Sequence, residues 1–305
     1  MDEQLLEKIN KLKDIRRAVI LAHNYQPGEI QDLADFCGDS LGLSIKASET
    51  DAEVIVFCGV RFMAETAAIL SPEKTVLLPD KHAGCPLADM ITATQLRKLK
   101  EKHPDAVVVC YVNSTAQVKA ESDYCCTSAN AVEVVNSLPK DRRIIFVPDQ
   151  HLGRFAAERT GRELVLWPGY CPTHVMITED DINTAKAKYP DAIVMTHPEC
   201  TEPVKDCSDE LLSTGQMLKF AAKSTARQFI IATEIGIIHT LKKQNPDAEF
   251  IAAGERAICP NMKKITMEKI FWALEDMQYK ISVPEAIREK AKKALNKMVE
   301  ILPAK

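Results

Sequence analysis

Short apolar segments that end abruptly in polar residues recur along the chain. Three of them read AVILAHN (18–24), VVVCYVN (107–113) and IVMTHPE (193–199). Runs of this kind are typical of buried parallel strands. Further apolar runs, separated by helical patterns, lie at 54–58, 75–78, 144–147, 163–166, 229–232 and 248–252. The pattern predicts repeated β-α-β segments that form small parallel sheets with helices on both faces.

A Cys-Pro pair occurs three times at nearly equal spacing. Cys85, Cys171 and Cys259 each begin the pattern C-P-x4-I-T, and successive cysteines are 86 and 88 residues apart. The proline disfavours a helix or a central strand at that point, and the threonine is a suitable N-cap for a helix. Each cysteine is therefore expected on a loop before a helical, charged segment. These segments are 95–102, 179–188 and 267–277.

The repeat predicts an α/β fold of three similar Rossmann-like, parallel-sheet domains in a pseudo-threefold arrangement. The predicted domains are 1–84, 85–170 and 171–266, and the C-terminal helices of 267–305 are expected to pack on the first. Ligands of open α/β sheets bind beyond the carboxyl ends of the strands. The three cysteine loops are therefore expected to meet at one site near a common axis.

Composition narrows the class of protein. The net charge of −4 and the sequence pI of about 6.0 give no sign of the basic face that nucleic-acid binders carry. No run approaches the roughly 20 apolar residues of a membrane span. The charged N-terminus lacks the apolar core of a signal peptide, so we expect a cytoplasmic protein. The sequence has ten cysteines, which in a reducing compartment indicate metal binding, catalysis or core packing rather than disulfides.

Three converging thiolates would suit a metal site. A structural zinc usually has four protein ligands, often with C-x2-4-C spacing, and the sequence contains no such pair. Four-iron clusters are held by thiolates, and three protein ligands would leave one iron open as a Lewis acid. A three-cysteine zinc site and a set of inert cysteines both stay open at this point.

Long motifs then resemble one known family, the quinolinate synthases. The similarity runs from about residue 18 to residue 264. The segments that carry it are LAHNYQ (21–26), DLADFCGDSL (32–41), GVRFMAET (59–66), YVNST (111–115), TSANA (127–131), HPEC (197–200), STGQM (213–217) and CPNMK (259–263).

The resemblance implies a specific reaction and cofactor. It implies the condensation of iminoaspartate with dihydroxyacetone phosphate to quinolinate, a precursor of NAD, with loss of phosphate and water. It also implies three similar domains around one [4Fe-4S] cluster with one open iron, held by Cys85, Cys171 and Cys259. Both substrates are small molecules, so neither nucleic acid nor a membrane is expected as a partner. A functional association with an enzyme that produces iminoaspartate is a further expectation.

The expected site residues follow from the same resemblance and from their positions at strand ends. Tyr25 is expected to act in early isomerisation and dehydration steps, and His197 and Glu199 in proton transfers near the open iron. The predicted catalytic set is His23, Tyr25, Tyr111, His197 and Glu199. The predicted substrate-binding set is His23, Ser40, Tyr111, Val112, Asn113, Ser128, His197, Pro198, Glu199, Ser213 and Thr214.

Other residues receive weaker assignments. Asp39 and Met63 are expected to shape the pocket wall. The remaining histidines lack support from the motifs, although His174 lies three residues after Cys171 and a metal role for it stays open.

Two other classes of protein remain as alternatives. An iron–sulfur hydro-lyase would use the same open iron on a small hydroxy acid without phosphate. A non-enzymatic iron–sulfur or zinc sensor would need neither Tyr25 nor Glu199.

Overall fold

Three four-stranded parallel sheets form the framework of the computed structural model, which describes residues 3–302. In each sheet the second strand in chain order lies at the edge, followed by the first, third and fourth. The predicted fold class, α/β with three similar parallel sheets, is confirmed. The segments 3–77, 93–166 and 179–252 are called the first, second and third unit below. The domain boundaries proposed from the repeat stay a prediction.

The three units contain the same succession of strands, with helices between them. The first comprises α1 (Glu3–Arg16), β1 (Ala18–His23), α2 (Gly28–Leu33), β2 (Phe36–Gly38), α3 (Ser40–Glu49), β3 (Val54–Cys58), α4 (Arg61–Leu70) and β4 (Thr75–Leu77). The second comprises α5 (Ala93–Lys102), β5 (Val107–Tyr111), α6 (Ala116–Ala120), β6 (Tyr124–Cys126), α7 (Ala131–Asn136), β7 (Ile144–Val147), α8 (Gln150–Thr160) and β8 (Leu164–Leu166). The third comprises α9 (Glu179–Lys188), β9 (Ile193–Thr196), α10 (Glu202–Asp206), β10 (Glu210–Leu211), α11 (Thr214–Lys223), β11 (Gln228–Ala232), α12 (Ile237–Gln244) and β12 (Glu249–Ala252).

Burial explains which strands could be predicted from apolar runs in the sequence. Every residue of β3 and β7 is buried, because helices cover both faces of each sheet, and these strands read as unbroken apolar runs. The edge strands β2, β6 and β10 are only two or three residues long, and no apolar run marked them. Cys37 lies on β2.

One side-chain hydrogen bond recurs in all three units and supports the repeat. An aspartate just before the edge strand accepts the backbone N–H of the first strand at 2.8 Å, and we call this contact the aspartate clip. The aspartate's own N–H donates back to the carbonyl of the same strand residue. The pairs are Ile20 with Asp35, Val108 with Asp123, and Val194 with Asp209.

A second recurring contact holds the three cysteine loops. A backbone N–H just after β3, β7 or β11 donates to the carbonyl two residues before the cysteine. The pairs are Arg61 to Ala83 at 2.8 Å, Gln150 to Gly169 at 2.8 Å, and Ile235 to Ala257 at 3.0 Å. After each loop, Thr92, Thr178 or Thr266 caps the next helix as predicted.

Two C-terminal helices, α13 (Met267–Asp276) and α14 (Glu285–Glu300), pack on the units. α13 lies against α1, and α14 contacts α4 of the first unit as well as α6 and β6 of the second. Asn130 of the second unit donates to the carbonyls of Met298 and Ile301 at 2.9 and 2.7 Å, which satisfies the C-terminal end of α14. Within residues 3–302, no helix is long and apolar enough to cross a membrane.

Candidate active site

Residues at the ends of the first strands of all three units line one cavity, with a volume of about 650 Å³ including its mouth. Most of the predicted site residues are in its wall. They are His23, Tyr25, Ser40, Cys85, Tyr111, Asn113, Ser128, Cys171, His197, Glu199, Thr214 and Cys259. Asp39 and Met63, which were expected to shape the wall, also line it. Side chains as far apart in sequence as His23 and Cys259 therefore line the same cavity.

The three cysteines enter the cavity from equivalent loops. The backbone N–H groups three positions later, at Ala88, His174 and Met262, each favour the thiolate of the preceding cysteine. Burial raises the pKa of Cys85 to about 12 and also raises the pKa values of Cys171 and Cys259. Backbone donors lower the cost of a thiolate, and a bound cation would displace the remaining protons.

A compact group of possible metal ligands lies beside Cys171. The Nδ1 atom of His174 is 3.1 Å from the Cys171 sulfur and 3.1 Å from Oε2 of Glu199. The potential ligand atoms of these three residues all lie within 4.8 Å of one another. Among residues 3–302, the sulfurs of Cys85, Cys171 and Cys259 do not form an equally compact group. The structure therefore shows a possible Cys/His/Glu metal site, with the other two sulfurs further apart around the same cavity.

Two histidines hold the same turn in the first and third units. Nδ1 of His23 accepts the N–H of Tyr25 at 3.1 Å, and Nδ1 of His197 accepts the N–H of Glu199 at 3.3 Å. Burial lowers the pKa of each histidine to about 3, with neighbouring Lys263 contributing at His23 and His174 at His197. Both imidazoles are therefore neutral near pH 7. Nδ1 of His23 is an acceptor here, so its proton is on Nε2.

Glu199 is a buried carboxylate with one oxygen unpaired. Burial would raise its pKa, but the close contact with His174 outweighs burial and lowers it below the ordinary value. Oε1 of Glu199 and Oδ1 of Asn113 are buried and have no hydrogen-bond partner within the described residues. Because buried polar atoms are rarely left unpaired, both oxygens are suited to a ligand in the cavity.

Tyr25 is held as a neutral phenol. Its hydroxyl lies 2.5 Å from Oγ1 of Thr233 and 3.4 Å from Nε2 of His174. Burial and the negative charge of Glu199 raise its pKa well above the usual value. The same two causes raise the pKa of Tyr111. Both phenols therefore stay protonated at neutral pH and can donate a hydrogen bond.

Two helix N-termini reach the opposite part of the wall. Ser40 and Thr214 are the first residues of α3 and α11, where backbone N–H groups favour anions. Asp39 caps α3 by accepting the N–H of Gly42 at 2.8 Å. Its other oxygen packs on α11, where a Cβ at Gly215 would lie 2.4 Å from it. The glycine of STGQM therefore accommodates Asp39.

Three predicted binding residues are absent from the wall. Val112 is buried and donates its N–H to the carbonyl of Cys126 at 2.8 Å. Pro198 is buried between two wall residues. Ser213 caps α11 in a capping box with Gln216. These three residues are not among those that line the cavity, so we expect any contact with a ligand to be through their backbone.

Sequence reasoning assigned no firm role to several wall residues that carry polar groups. His174 bonds Thr233 at 2.8 Å and stacks on His197 with ring centroids 4.6 Å apart. Its position three residues after a cysteine was the available signal. Thr127, Thr173, Glu234 and Met262 also line the cavity. Met262 occupies the position in the third loop that His174 has in the second, so the repeat could have indicated it.

The chain matches the family model described as "Quinolinate synthetase A protein" over residues 7–300. The chain belongs to this family. Among named members, it is 57% identical to the quinolinate synthase of Dehalococcoides mccartyi (strain CBDB1), with 98% of this chain and 99% of the relative covered. It is 52% identical to quinolinate synthase 2 of Methanosarcina acetivorans, covering 98% of this chain and 96% of the relative. The quinolinate synthase of Geobacter metallireducens is also 52% identical, with 98% of each chain covered.

These matches confirm the resemblance to quinolinate synthases. The similarity extends beyond the motifs of residues 18–264 and includes the region of α13 and α14. Membership of the family also favours the synthase over the hydro-lyase and sensor alternatives.

Proposed function

We propose that this chain is a quinolinate synthase that condenses iminoaspartate with dihydroxyacetone phosphate, releasing phosphate and water, in de novo NAD biosynthesis. The full-length similarity to enzymes of that name carries the proposal. The cavity supports it, because one space contains three thiols, proton donors and acceptors, and two helix N-termini suited to anions.

Cys85, Cys171 and Cys259 would hold a [4Fe-4S] cluster through three sulfurs. When bound, the cluster would supply one open iron as a Lewis acid for a substrate oxygen. The donor set fits this group. A single zinc bound at about 2.3 Å would draw its sulfurs to within roughly 4 Å of one another. The three cysteines do not form so compact a group, whereas a four-iron cluster spans a wider separation.

Tyr25 and Glu199 would share the proton transfers. The neutral phenol of Tyr25 would donate a proton to a departing hydroxyl group, and the carboxylate of Glu199 would accept one from the substrate. Thr233 and His174 hold the phenol in place, and His174 holds the carboxylate. His23, Tyr111 and His197 complete the proposed catalytic set.

The substrate anions would bind on the other walls. Ser40 and Thr214 would bind phosphate with the N-terminal N–H groups of α3 and α11. Ser128, whose hydroxyl is 3.1 Å from Nε2 of His197, and Asn113 would orient carboxylates. The backbones of Val112, Pro198 and Ser213 complete the proposed binding set.

The chemistry of the substrate bears on the setting. An imine is readily hydrolysed in water, so direct supply from an enzyme that produces iminoaspartate would limit its loss. We therefore include such a functional association, in the cytoplasm, in the proposal.

Anaerobic reconstitution with iron and sulfide, followed by an assay for quinolinate, tests the proposed function. We expect product only when both iminoaspartate and dihydroxyacetone phosphate are supplied, with about four irons per chain. Full activity of iron-free protein would contradict the cluster assignment. Turnover of a hydroxy acid without dihydroxyacetone phosphate would favour the hydro-lyase.

A further inference from the structure

An ion pair between a buried glutamate and a partly exposed lysine connects the third cysteine loop to the turn that carries Tyr25. Glu234 follows β11 and is fully buried. Its Oε1 atom accepts the N–H of Cys259 at 3.1 Å and lies 2.8 Å from Nζ of Lys263. Lys263 also donates a hydrogen bond to the backbone carbonyl of Tyr25. One charged pair therefore contacts both a proposed metal ligand and a proposed catalytic residue.

The backbone around the pair is built for close approach. Oε2 of Glu234 accepts the N–H of Gly236 at 2.8 Å. A Cβ at Gly236 would lie 2.8 Å from Nζ of Lys263 and 2.9 Å from the carbonyl carbon of Tyr25. Any other residue at 236 would push the Tyr25 turn away from the third unit. Gln31 reinforces the junction by donating to the carbonyl of Gly236 at 2.8 Å.

The equivalent positions in the other units differ. Residue 234 is the second after β11, and its counterparts after β3 and β7 are Val60 and Asp149. Val60 is apolar, and Asp149 caps α8 by accepting the N–H of Leu152 at 2.8 Å. Among these three equivalent positions, only residue 234 forms an ion pair with its cysteine loop, and the lysine of that pair also bonds the Tyr25 carbonyl of the first unit.

We propose that Glu234 and Lys263 are positioning residues that couple the Cys259 loop to the Tyr25 turn. When metal orders Cys259, the pair fixes the Tyr25 backbone and so places its phenol in the cavity. The inference rests on the proposed roles of Cys259 as a ligand and Tyr25 as a proton donor. Under this proposal, metal binding at Cys259, on the third cysteine loop, fixes the position of Tyr25 in the first unit.

The test variant is the double replacement Glu234→Gln with Lys263→Met. Removing both charges avoids leaving one buried ion without its partner, which would destabilise the protein for an unrelated reason. Lys264→Met is the matched control, because Lys264 is the next residue and its Nζ donates to the carbonyl of His82 at 2.7 Å, away from Tyr25. Lys263→Arg keeps the cation and should retain most of the coupling.

Hydrogen–deuterium exchange provides a readout that does not depend on turnover. The iron-free and the anaerobically reconstituted proteins are compared at peptides 23–31 and 259–265. In the wild type and in Lys264→Met, we expect iron loading to slow exchange in both peptides. In the double variant, we expect slower exchange at 259–265 alone, with iron content unchanged.

Kinetics then separate positioning from binding. We expect the double variant to lose about 100-fold in kcat, with KM for dihydroxyacetone phosphate unchanged, since a small misplacement of a catalytic group has effects of that size.

Two results in the double variant would overturn the coupling: iron-dependent protection of peptide 23–31, or a kcat equal to that of the wild type. If the double variant lost its iron, the pair would be needed only to hold the Cys259 loop, and the proposed coupling would also be overturned. If the wild type shows the exchange pattern but makes no quinolinate, the proposed function fails and the coupling stands.

Discussion

The first and third units present the same turn to the cavity but give it different chemistry. In each unit a buried histidine accepts the N–H of the residue two positions later, which is Tyr25 in one case and Glu199 in the other. Burial raises the pKa of Tyr25. Burial also acts on Glu199, but there the contact with His174 lowers the pKa overall. A repeated backbone has therefore placed a proton donor opposite a proton acceptor.

The comparison separates what the units share from what distinguishes them. The shared parts are the strand order, the aspartate clips and the hydrogen bonds that hold the cysteine loops. The distinguishing parts are single side chains such as Tyr25 against Glu199 and Val60 against Glu234. Equivalent changes to shared parts should have equal effects in all units, whereas changes to the distinguishing side chains should not.

The largest effect is expected for the three cysteines. Cys85→Ser, Cys171→Ser and Cys259→Ser should each abolish quinolinate formation and lower iron to near zero, because a cluster with two thiolate ligands is poorly held. Cys207→Ser, outside the cavity wall, is the control and should retain iron. Iron analysis after anaerobic reconstitution measures the outcome. A serine variant that keeps full iron content and activity would show that its cysteine is not a ligand and that the three cysteine loops are not equivalent.

The next effect concerns the two differing turns. Tyr25→Phe and Glu199→Gln should each lower kcat by about 10²- to 10⁴-fold, because each removes one proton-transfer group. Iron content should stay at the wild-type level. Tyr189→Phe and Glu202→Gln, outside the cavity wall, serve as controls. Steady-state kinetics that show no loss for either active-site variant would remove that residue from the catalytic set.

A smaller effect should appear in the pH dependence of stability. His23 and His197 have pKa values of about 3 in the fold, against 6.5 when unperturbed. Below pH 6.5 these histidines therefore bind protons in the unfolded chain but not in the folded one. The free energy of unfolding is therefore highest above pH 6.5 and falls as the pH drops toward 3. At pH 5 each histidine should cost about 2 kcal/mol of unfolding free energy.

Thermal unfolding of the iron-free protein between pH 7 and pH 5 measures this effect. His23→Asn and His197→Asn should each flatten the pH dependence by a similar amount, because the two turns are equivalent. A steep dependence that neither variant changes would assign the titration to other groups.

The smallest effect is expected at the aspartate clips. Asp35→Ala, Asp123→Ala and Asp209→Ala should each destabilise the iron-free protein by about 1–2 kcal/mol, because a strand N–H loses its partner. Shifts in the thermal midpoint provide the measurement. Asp35 also pairs with Lys13 at 2.6 Å, but exposed pairs contribute little. A much larger shift for Asp35 would show that this pair makes the first clip different.

The sequence was most informative where burial is continuous or the repeat is exact. The runs that became β3, β7 and β11 are apolar because helices cover both sheet faces, and the three Cys-Pro loops share one pattern. The edge strand β10 is two residues long and has no apolar signature. The aspartate clips were also missed, since a single aspartate has many possible roles until its partner is known.

The site was harder to complete because its remaining contacts join distant parts of the chain. His174 bonds Thr233, 59 residues away, and Lys263 bonds Tyr25, 238 residues away. No local pattern encodes such pairs. Val112, Pro198 and Ser213 belong to the recognised motifs but are not among the residues that line the cavity. A motif therefore indicated a segment near the cavity without distinguishing which of its residues line it.

The distribution of the three sulfurs has a consequence for biosynthesis. Cys85, Cys171 and Cys259 lie on three loops, and each loop is hydrogen-bonded to the segment after a strand of a different sheet. A growing chain on the ribosome cannot assemble the complete set until the third sheet has formed and docked. If the three cysteines hold the proposed cluster, its insertion would therefore have to follow the synthesis and folding of all three sheets.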